Sequence, residues 1–226
     1  MRYRYDGSVM DERMDVFLNM LYGDEPNYLR DIASYAADIH APVMRKQTAQ
    51  ILRFFIMKEH VGRILEIGAA IGYSALYMAE CGKDVRIDTI EKVPARINDA
   101  SLNFEKYDTG NRINLIEGEA SEALADLVRQ NALYDLIFLD AAKAQYMEYL
   151  SYIEKLMDRG AVLVTDNVLQ EGELLASRYA VNRRDRTIHS RMRMFLKEIT
   201  DGVKWNTIIL PVGDGVAVTT KCERLD

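Results

Sequence analysis

Three side chains with oxygen donors follow two short apolar runs. Asp140 ends Tyr134-Asp135-Leu136-Ile137-Phe138-Leu139, and Asp166-Asn167 ends Ala161-Val162-Leu163-Val164-Thr165. Runs of this kind read as buried strands, and neighbouring parallel strands carry the groups at their carboxyl ends to one edge of the sheet. Two carboxylates and an amide are hard ligands that leave further positions to water or substrate, which suits magnesium, with manganese or calcium as alternatives. No nitrogen or sulfur donor accompanies them, so zinc is disfavoured. A lone Asp at a strand end more often caps the following helix; two such ends, the second reading Asp-Asn, favour a metal. Lys143, three residues after Asp140, is placed to act as a general base.

A second cluster surrounds Glu66-Ile67-Gly68-Ala69-Ala70-Ile71-Gly72-Tyr73-Ser74, between an apolar run and a helix expected from about Tyr73. The first strand-to-helix turn of an open α/β sheet is the usual cofactor cradle, and glycines at 68 and 72 would let the backbone approach a ligand closely. The spacing is not GxGxxG, which counts against a dinucleotide, and the acidic Glu66 suits a cationic amino-acid cofactor better than a pyrophosphate. About twenty residues on, Thr89-Ile90-Glu91 places a carboxylate where two ribose hydroxyls can bond to it.

The elements that must position these groups follow from the change of period along the chain. Apolar residues three and four apart predict helices over Val9 to Tyr22, Tyr28 to Ile39 and Gln47 to Lys58. From Arg63 short apolar runs take over, at Arg63 to Ile67, Val85 to Ile90, Ile113 to Ile116, Tyr134 to Leu139 and Ala161 to Thr165, each followed by room for a helix. Thr207 to Leu210 and Val216 to Thr219, joined by Pro211-Val212-Gly213-Asp214-Gly215, read as a hairpin that brings an antiparallel strand at or near one edge. The fold expected is α/β: a Rossmann-like, doubly wound, seven-stranded, mostly parallel sheet with a helical N-terminal extension. At 226 residues this is one domain, with residues 1–60 as the extension and 61–226 as the cofactor-binding core.

Composition narrows the setting. No apolar stretch is long enough to span a bilayer and the first residues lack a signal-peptide core, so a cytoplasmic protein without membrane attachment is expected. Cys81 and Cys222 form no CxxC pair and read as reduced thiols. The net charge is −6, yet Arg178 to Lys197 holds seven basic residues and one acid. An acidic protein with one basic segment keeps a polyanionic partner open.

The segments LEIGAAIGYSAL (65–76), Glu91, INLIEGEA (113–120), YDLIFLDAAKAQYMEYL (134–150) and VLVTDNVLQEG (162–172) resemble the cation-dependent O-methyltransferases, the family of the catechol and caffeoyl-CoA enzymes. The resemblance implies S-adenosylmethionine as cofactor, with contacts from Met44, Glu66, Gly68, Tyr73, Ser74, Glu91, Glu119, Ala120 and Asp140. It implies Asp140, Asp166 and Asn167 as metal ligands, Lys143 with Asp140 as the catalytic pair, and a homodimer. Within the family the chain is most similar to the bacterial tRNA 5-hydroxyuridine methyltransferases, through His40-Ala41-Pro42-Val43-Met44, AAKAQY, DNVLQEG, the arginine-rich segment and PVGDGVAV.

That likeness implies methylation of 5-hydroxyuridine at the tRNA wobble position, with Arg183, Arg184, Arg186, Arg191 and Arg193 on phosphates of the anticodon loop. A small catechol-like or hydroxycinnamoyl-CoA substrate is the alternative within the family. A nicotinamide-dependent oxidoreductase and a non-catalytic RNA-binding module are the more distant ones. The arginines also read plainly as a solvated helix face or a dimer contact.

Overall fold

The computed structural model describes residues 12–58, 61–177, 179 and 181–222. The expected helix start at Val9 and Arg178 at the head of the basic window lie outside the described residues. Three helices come first: α1 (Glu12–Leu21), α2 (Asn27–Asp38) and α3 (Lys46–Lys58). Each forms where apolar side chains recur on one face. Helix α2 buries Leu29, Ile32 and Ala36, and α3 buries Gln47, Thr48, Ala49, Leu52 and Ile56. Helix α1 differs, because Val16, Phe17, Met20 and Leu21 are all more than half exposed.

Seven strands form one sheet in the order β3-β2-β1-β4-β5-β7-β6. The parallel set is β1 (Arg63–Ile67), β2 (Arg86–Glu91), β3 (Ile113–Glu117), β4 (Tyr134–Leu139) and β5 (Met157–Thr165). The closing hairpin is β6 (Trp205–Leu210) and β7 (Val216–Lys221), with β7 inserted antiparallel between β5 and β6. The doubly wound, mostly parallel sheet expected from the apolar runs is therefore present.

Side chains alternate between two cores. Ile64, Leu136, Phe138, Val162 and Val164 face a layer that includes α2, α3, α4 (Tyr73–Glu80) and α5 (Pro94–Tyr107). Leu65, Ile67, Ile137, Leu139 and Leu163 face α6 (Ala120–Arg129), α7 (Tyr146–Leu156) and α8 (Arg186–Ile199). Burial on both faces is why these strands read as continuous apolar runs rather than as alternating ones.

One strand departs from its sequence pattern. β5 starts at Met157, not Ala161, and the exposed Asp158-Arg159-Gly160 bulges between register pairs Tyr134↔Met157 and Leu136↔Val162. Polar residues and a glycine at φ +76° look like a turn, but the extra length is absorbed as an irregularity inside the strand. Strand order reverses on either side of β1, so the crevice between the carboxyl ends of β1 and β4 is the place where an open sheet of this kind accepts a ligand.

Candidate active site

The cofactor side of that crevice is built by the turn after β1. The backbone N–H groups of Gly68 and Ala69 both donate to the Ile90 carbonyl at 3.0 Å, and Ala70 N–H donates to Glu91 Oε2 at 2.9 Å. The other oxygen of Glu91 accepts from Lys92 and Val93 N–H at 2.9 and 3.0 Å. Three amide donors thus fix this carboxylate at the end of β2, and the spare lone pairs of both oxygens remain for further donors.

The two glycines are required by the protein's own neighbours. A Cβ on Gly68, at φ +108°, would lie 2.1 Å from the carbonyl oxygen of Asp140, and one on Gly72, at φ +85°, would lie 2.5 Å from the Phe104 ring. The absence of a Cβ at both positions is accounted for by these contacts alone. The glycines clear space for β4 and α5, because the turn is squeezed between those elements. Gly68 also lines the cavity, and Gly72 does not.

The cavity itself measures about 350 Å³. Of the residues predicted to touch cofactor, Met44, Gly68, Tyr73, Ser74, Glu91, Ala120 and Asp140 line it. Glu66 is not among the lining residues; it is fully buried on β1, where Thr89 Oγ1 donates to Oε2. Its Oε1 is buried without a hydrogen-bond partner. Burial pushes the Glu66 carboxyl up to about 7, with the Ser74 and Thr89 hydroxyls pulling down and the Asp140 and Glu91 charges adding to the rise. A buried carboxyl oxygen without a partner, on the residue before Ile67 of the cavity wall, suits a cationic or donor-rich ligand.

Glu119 is not in the wall; its exposed side chain pairs with Lys92 at 3.2 Å. Pro42, Val43, Lys92, Arg96, Gln145 and Tyr149, none of them expected as cofactor contacts although Pro42, Val43 and Gln145 lie in the family-like motifs, also line the cavity. Their types are unremarkable in sequence, and only the packing of the loop before α3 and of α5 and α7 around the turn brings them in.

The second half of the crevice carries the oxygen ligands. Asp140 and Asp166 are set at adjacent strand ends by Asp140 N–H to Ile67 carbonyl and Asp166 N–H to Leu139 carbonyl, both 3.1 Å. Burial, then the neighbouring Asp166 charge, raises the Asp140 carboxyl to about 7, and Lys143 opposes both. Asp166, only 2% exposed, is raised chiefly by burial, while Asn167 N–H and the Thr48 hydroxyl hold it down. Asn167 takes a left-handed φ of +55° and donates its Nδ2 to Asp214 Oδ2 at 3.2 Å. Asp214 was not anticipated as part of this site; the Gly-Asp-Gly turn is visible in the sequence, but nothing local tells which loop it meets.

Among the described residues no group of three or more His, Cys, Asp and Glu could hold a metal. The candidate set is two carboxylates and an amide. Two poorly solvated carboxylates that disfavour each other's charge, with Lys143 beside them, fit a divalent cation on electrostatic grounds.

The arginine window is mostly committed elsewhere. Arg186 donates to the carbonyls of Val181 and Tyr179 at 3.2 and 3.3 Å, Arg191 to Ala144 at 3.0 Å, and Arg193 to Leu174 at 3.4 Å. Arg184 reaches its neighbour Asp185 at 3.3 Å and keeps 86% of its side chain exposed, and Arg183 is exposed too.

The sequence model of a family described as O-methyltransferase matches residues 21–222. The chain belongs to that family. Catechol O-methyltransferase of Mycobacterium tuberculosis is 31% identical over 166 residues, which is 72% of this chain and 74% of that protein. Caffeoyl-CoA O-methyltransferase 1 of Arabidopsis thaliana is 27% identical over 225 residues, 91% of this chain and 81% of that protein. Among solved structures, the SAH-bound Podospora anserina methyltransferase PaMTH1 superposes with TM-score 0.82 at 26% identity, covering 94% of this chain and 95% of that one. Membership of the O-methyltransferase family moves the glycine turn away from the nicotinamide reading.

Proposed function

We propose that this O-methyltransferase transfers the methyl group of S-adenosylmethionine to one oxygen of a vicinal pair, with a magnesium, manganese or calcium ion held by Asp140, Asp166 and Asn167. The observation that carries the reading is that Asp140 belongs to both halves of the crevice. It lines the cavity that Glu91 and the turn after β1 enclose, and it also faces Asp166. A methyl donor and an oxygen pair placed on either side of Asp140 would lie within reacting distance.

The donor's ribose would lie against Glu91, its adenine near Ala120, and its amino-acid end over Ser74 and the buried Glu66. Bound to the three oxygen ligands, a divalent cation would supply Lewis acidity to two neighbouring substrate oxygens. The protein's own groups do the rest. Lys143 takes the proton from the hydroxyl, Met44 and Tyr149 close the apolar walls, and the fixed turn aligns the methyl for in-line attack. The oxygen lone pair forms the new C–O bond as the C–S bond breaks, and the sulfonium leaves as a neutral thioether.

For the substrate, the relatives named as catechol and caffeoyl-CoA O-methyltransferases support a small ring carrying adjacent hydroxyls. A second reading, 5-hydroxyuridine in a tRNA anticodon loop, draws on the exposed Arg183 and Arg184 beside the loop that follows the metal ligands. The three arginines tied to carbonyls contribute nothing obvious to it. The exposed apolar face of α1 supports pairing of two copies, and the family's cofactor goes with a cytoplasmic setting. Among the described residues no helix is long and apolar enough to cross a membrane.

The deciding assay supplies labelled S-adenosylmethionine and magnesium with catechol, caffeoyl-CoA or tRNA from a strain lacking the enzyme. Methyl transfer to the small phenols and none to tRNA is the expected outcome. Labelled 5-methoxyuridine with inert phenols would replace the first reading by the second, and full activity in excess chelator would remove the metal from both.

A further inference from the structure

The turn joining β6 to β7 is fastened to the loop that carries the metal ligands. Val168 N–H donates to the Gly215 carbonyl and Leu169 N–H to the Asp214 carbonyl, each at 2.9 Å. The two loops meet so closely that a Cβ on Gly215 would stand 2.4 Å from Leu169. Between them the Asp214 carboxylate makes two bonds in different directions. Oδ2 receives Nδ2 of Asn167 at 3.2 Å, and Oδ1 receives Nη2 of Arg45 at 2.9 Å.

The polarity of this chain has a consequence for ligation. Arginine can only donate and a carboxylate can only accept, so the hydrogen-bond sense is forced from one end to the other. Asn167 must show its NH2 to Asp214, which leaves its carbonyl oxygen as the free end of the amide. A hard cation needs that oxygen and gains nothing from the nitrogen. We infer that Asp214, itself steered by Arg45, is a positioning residue that fixes the Asn167 amide with its oxygen rather than its nitrogen available to the cation. The inference rests on the metal reading above and adds two residues to it, from segments 169 positions apart in sequence. Outer partners of metal ligands typically alter affinity by about ten- to a hundredfold when lost.

The test is manganese affinity, measured by calorimetry on cofactor-free protein, with thermal unfolding as the check on folding. In Asp214→Asn the single remaining oxygen is claimed by Arg45, so an NH2 group faces Asn167 and turns that amide over; Mn2+ binding should weaken about tenfold or more. The exchange variant Asn167→Asp/Asp214→Asn reverses the central bond, keeps net charge, and satisfies Arg45 as well. It should bind Mn2+ within about threefold of the wild type, with a carboxylate oxygen of position 167 again facing the cation.

Wild-type affinity for Asp214→Asn, or an exchange variant no tighter than that single variant, overturns the inference. Two controls separate this from the metal reading. Wild-type protein that fails to bind Mn2+ removes the reading and the inference together, whereas binding lost in Asp166→Ala keeps the reading and leaves the variants at 214 to decide. If Asp214→Asn does not fold, the folded exchange variant decides alone, and absence of Mn2+ binding there is fatal.

Discussion

The turn after β1 and the arginine window before and along α8 are the two segments whose residue types promise function most openly, and they deliver on that promise differently. In the turn, Gly68, Tyr73, Ser74 and, across the crevice, Glu91 and Asp140 gather around one cavity. In the window, Arg186 is spent on backbone carbonyls of the window itself, Arg191 and Arg193 on carbonyls of other segments, and Arg183 and Arg184 are exposed. A strand-turn-helix unit is local, so its shape follows from neighbours in sequence. An arginine's partner is set by tertiary packing, and the bond from Arg191 to Ala144 crosses 47 residues. Charge density alone therefore says little about whether a basic segment faces a ligand or its own chain.

The largest test of this contrast is Gly68→Ala. A methyl group 2.1 Å from the Asp140 carbonyl has nowhere to go at φ +108°, and the atom it meets is backbone. Loss of at least about 3 kcal/mol of stability is expected, read as a collapse of the denaturant midpoint or as insoluble protein. A soluble variant of wild-type stability would mean that the turn is loose and that its glycines do serve a ligand.

Next comes the pH dependence set by Glu66. Its carboxyl titrates at about 7 in the folded protein against 4.5 when free, so between those values the folded state keeps a proton that the unfolded state has released. Stability then falls as pH rises from about 4.5 to about 7 and levels off above, by an amount on the order of 3 kcal/mol at most. Asp140, also raised to about 7, contributes in the same direction, so Glu66→Gln should reduce that slope without abolishing it and raise the melting temperature at pH 8 more than at pH 5, in the absence of cofactor. An unchanged pH profile would show that Glu66 is already neutralised by something other than its own proton.

The smallest effects belong to the window. Arg191→Ala removes one bond to the turn that bears Lys143 and should cost about 1 kcal/mol, whereas Arg183→Ala should change stability by less than about 0.5 kcal/mol. Equal losses from the two would erase the distinction between tethered and free arginines. A rise in KM for tRNA in Arg183→Ala would turn the free ones into a binding surface.

The inner strands β1, β2, β4 and β5 were legible because burial on both faces writes them as apolar runs, the edge strands β3 and β6 by their apolar residues despite partial exposure, and the two strand ends carrying Asp140 and Asp166-Asn167 were legible with them. The first four residues of β5 were not, since Asp158, Arg159 and Gly160 have turn chemistry and lie in the irregularity between the pairs Tyr134↔Met157 and Leu136↔Val162. Glu119 looked like a cofactor contact from its place after β3, but its side chain leaves the cavity for Lys92. Asp214 could not be found at all, because its partners Asn167 and Arg45 reach it only once the hairpin has folded back against β5. What a sequence hides here is the return of the chain, more than the elements themselves.

The bulge at Asp158-Arg159-Gly160 has a practical use. It sits on exposed backbone at the amino end of β5, about six residues and so roughly 20 Å of extended chain from Asp166 at the other end. The strand has already shown that it absorbs surplus length there, its pairing with β4 shifting from Tyr134↔Met157 to Leu136↔Val162 and then running on evenly to Thr165. A fluorophore, affinity tag or short inserted peptide grafted at this point would ride on the enzyme well away from its crevice, and would give a handle for immobilising the protein with the catalytic edge facing outward.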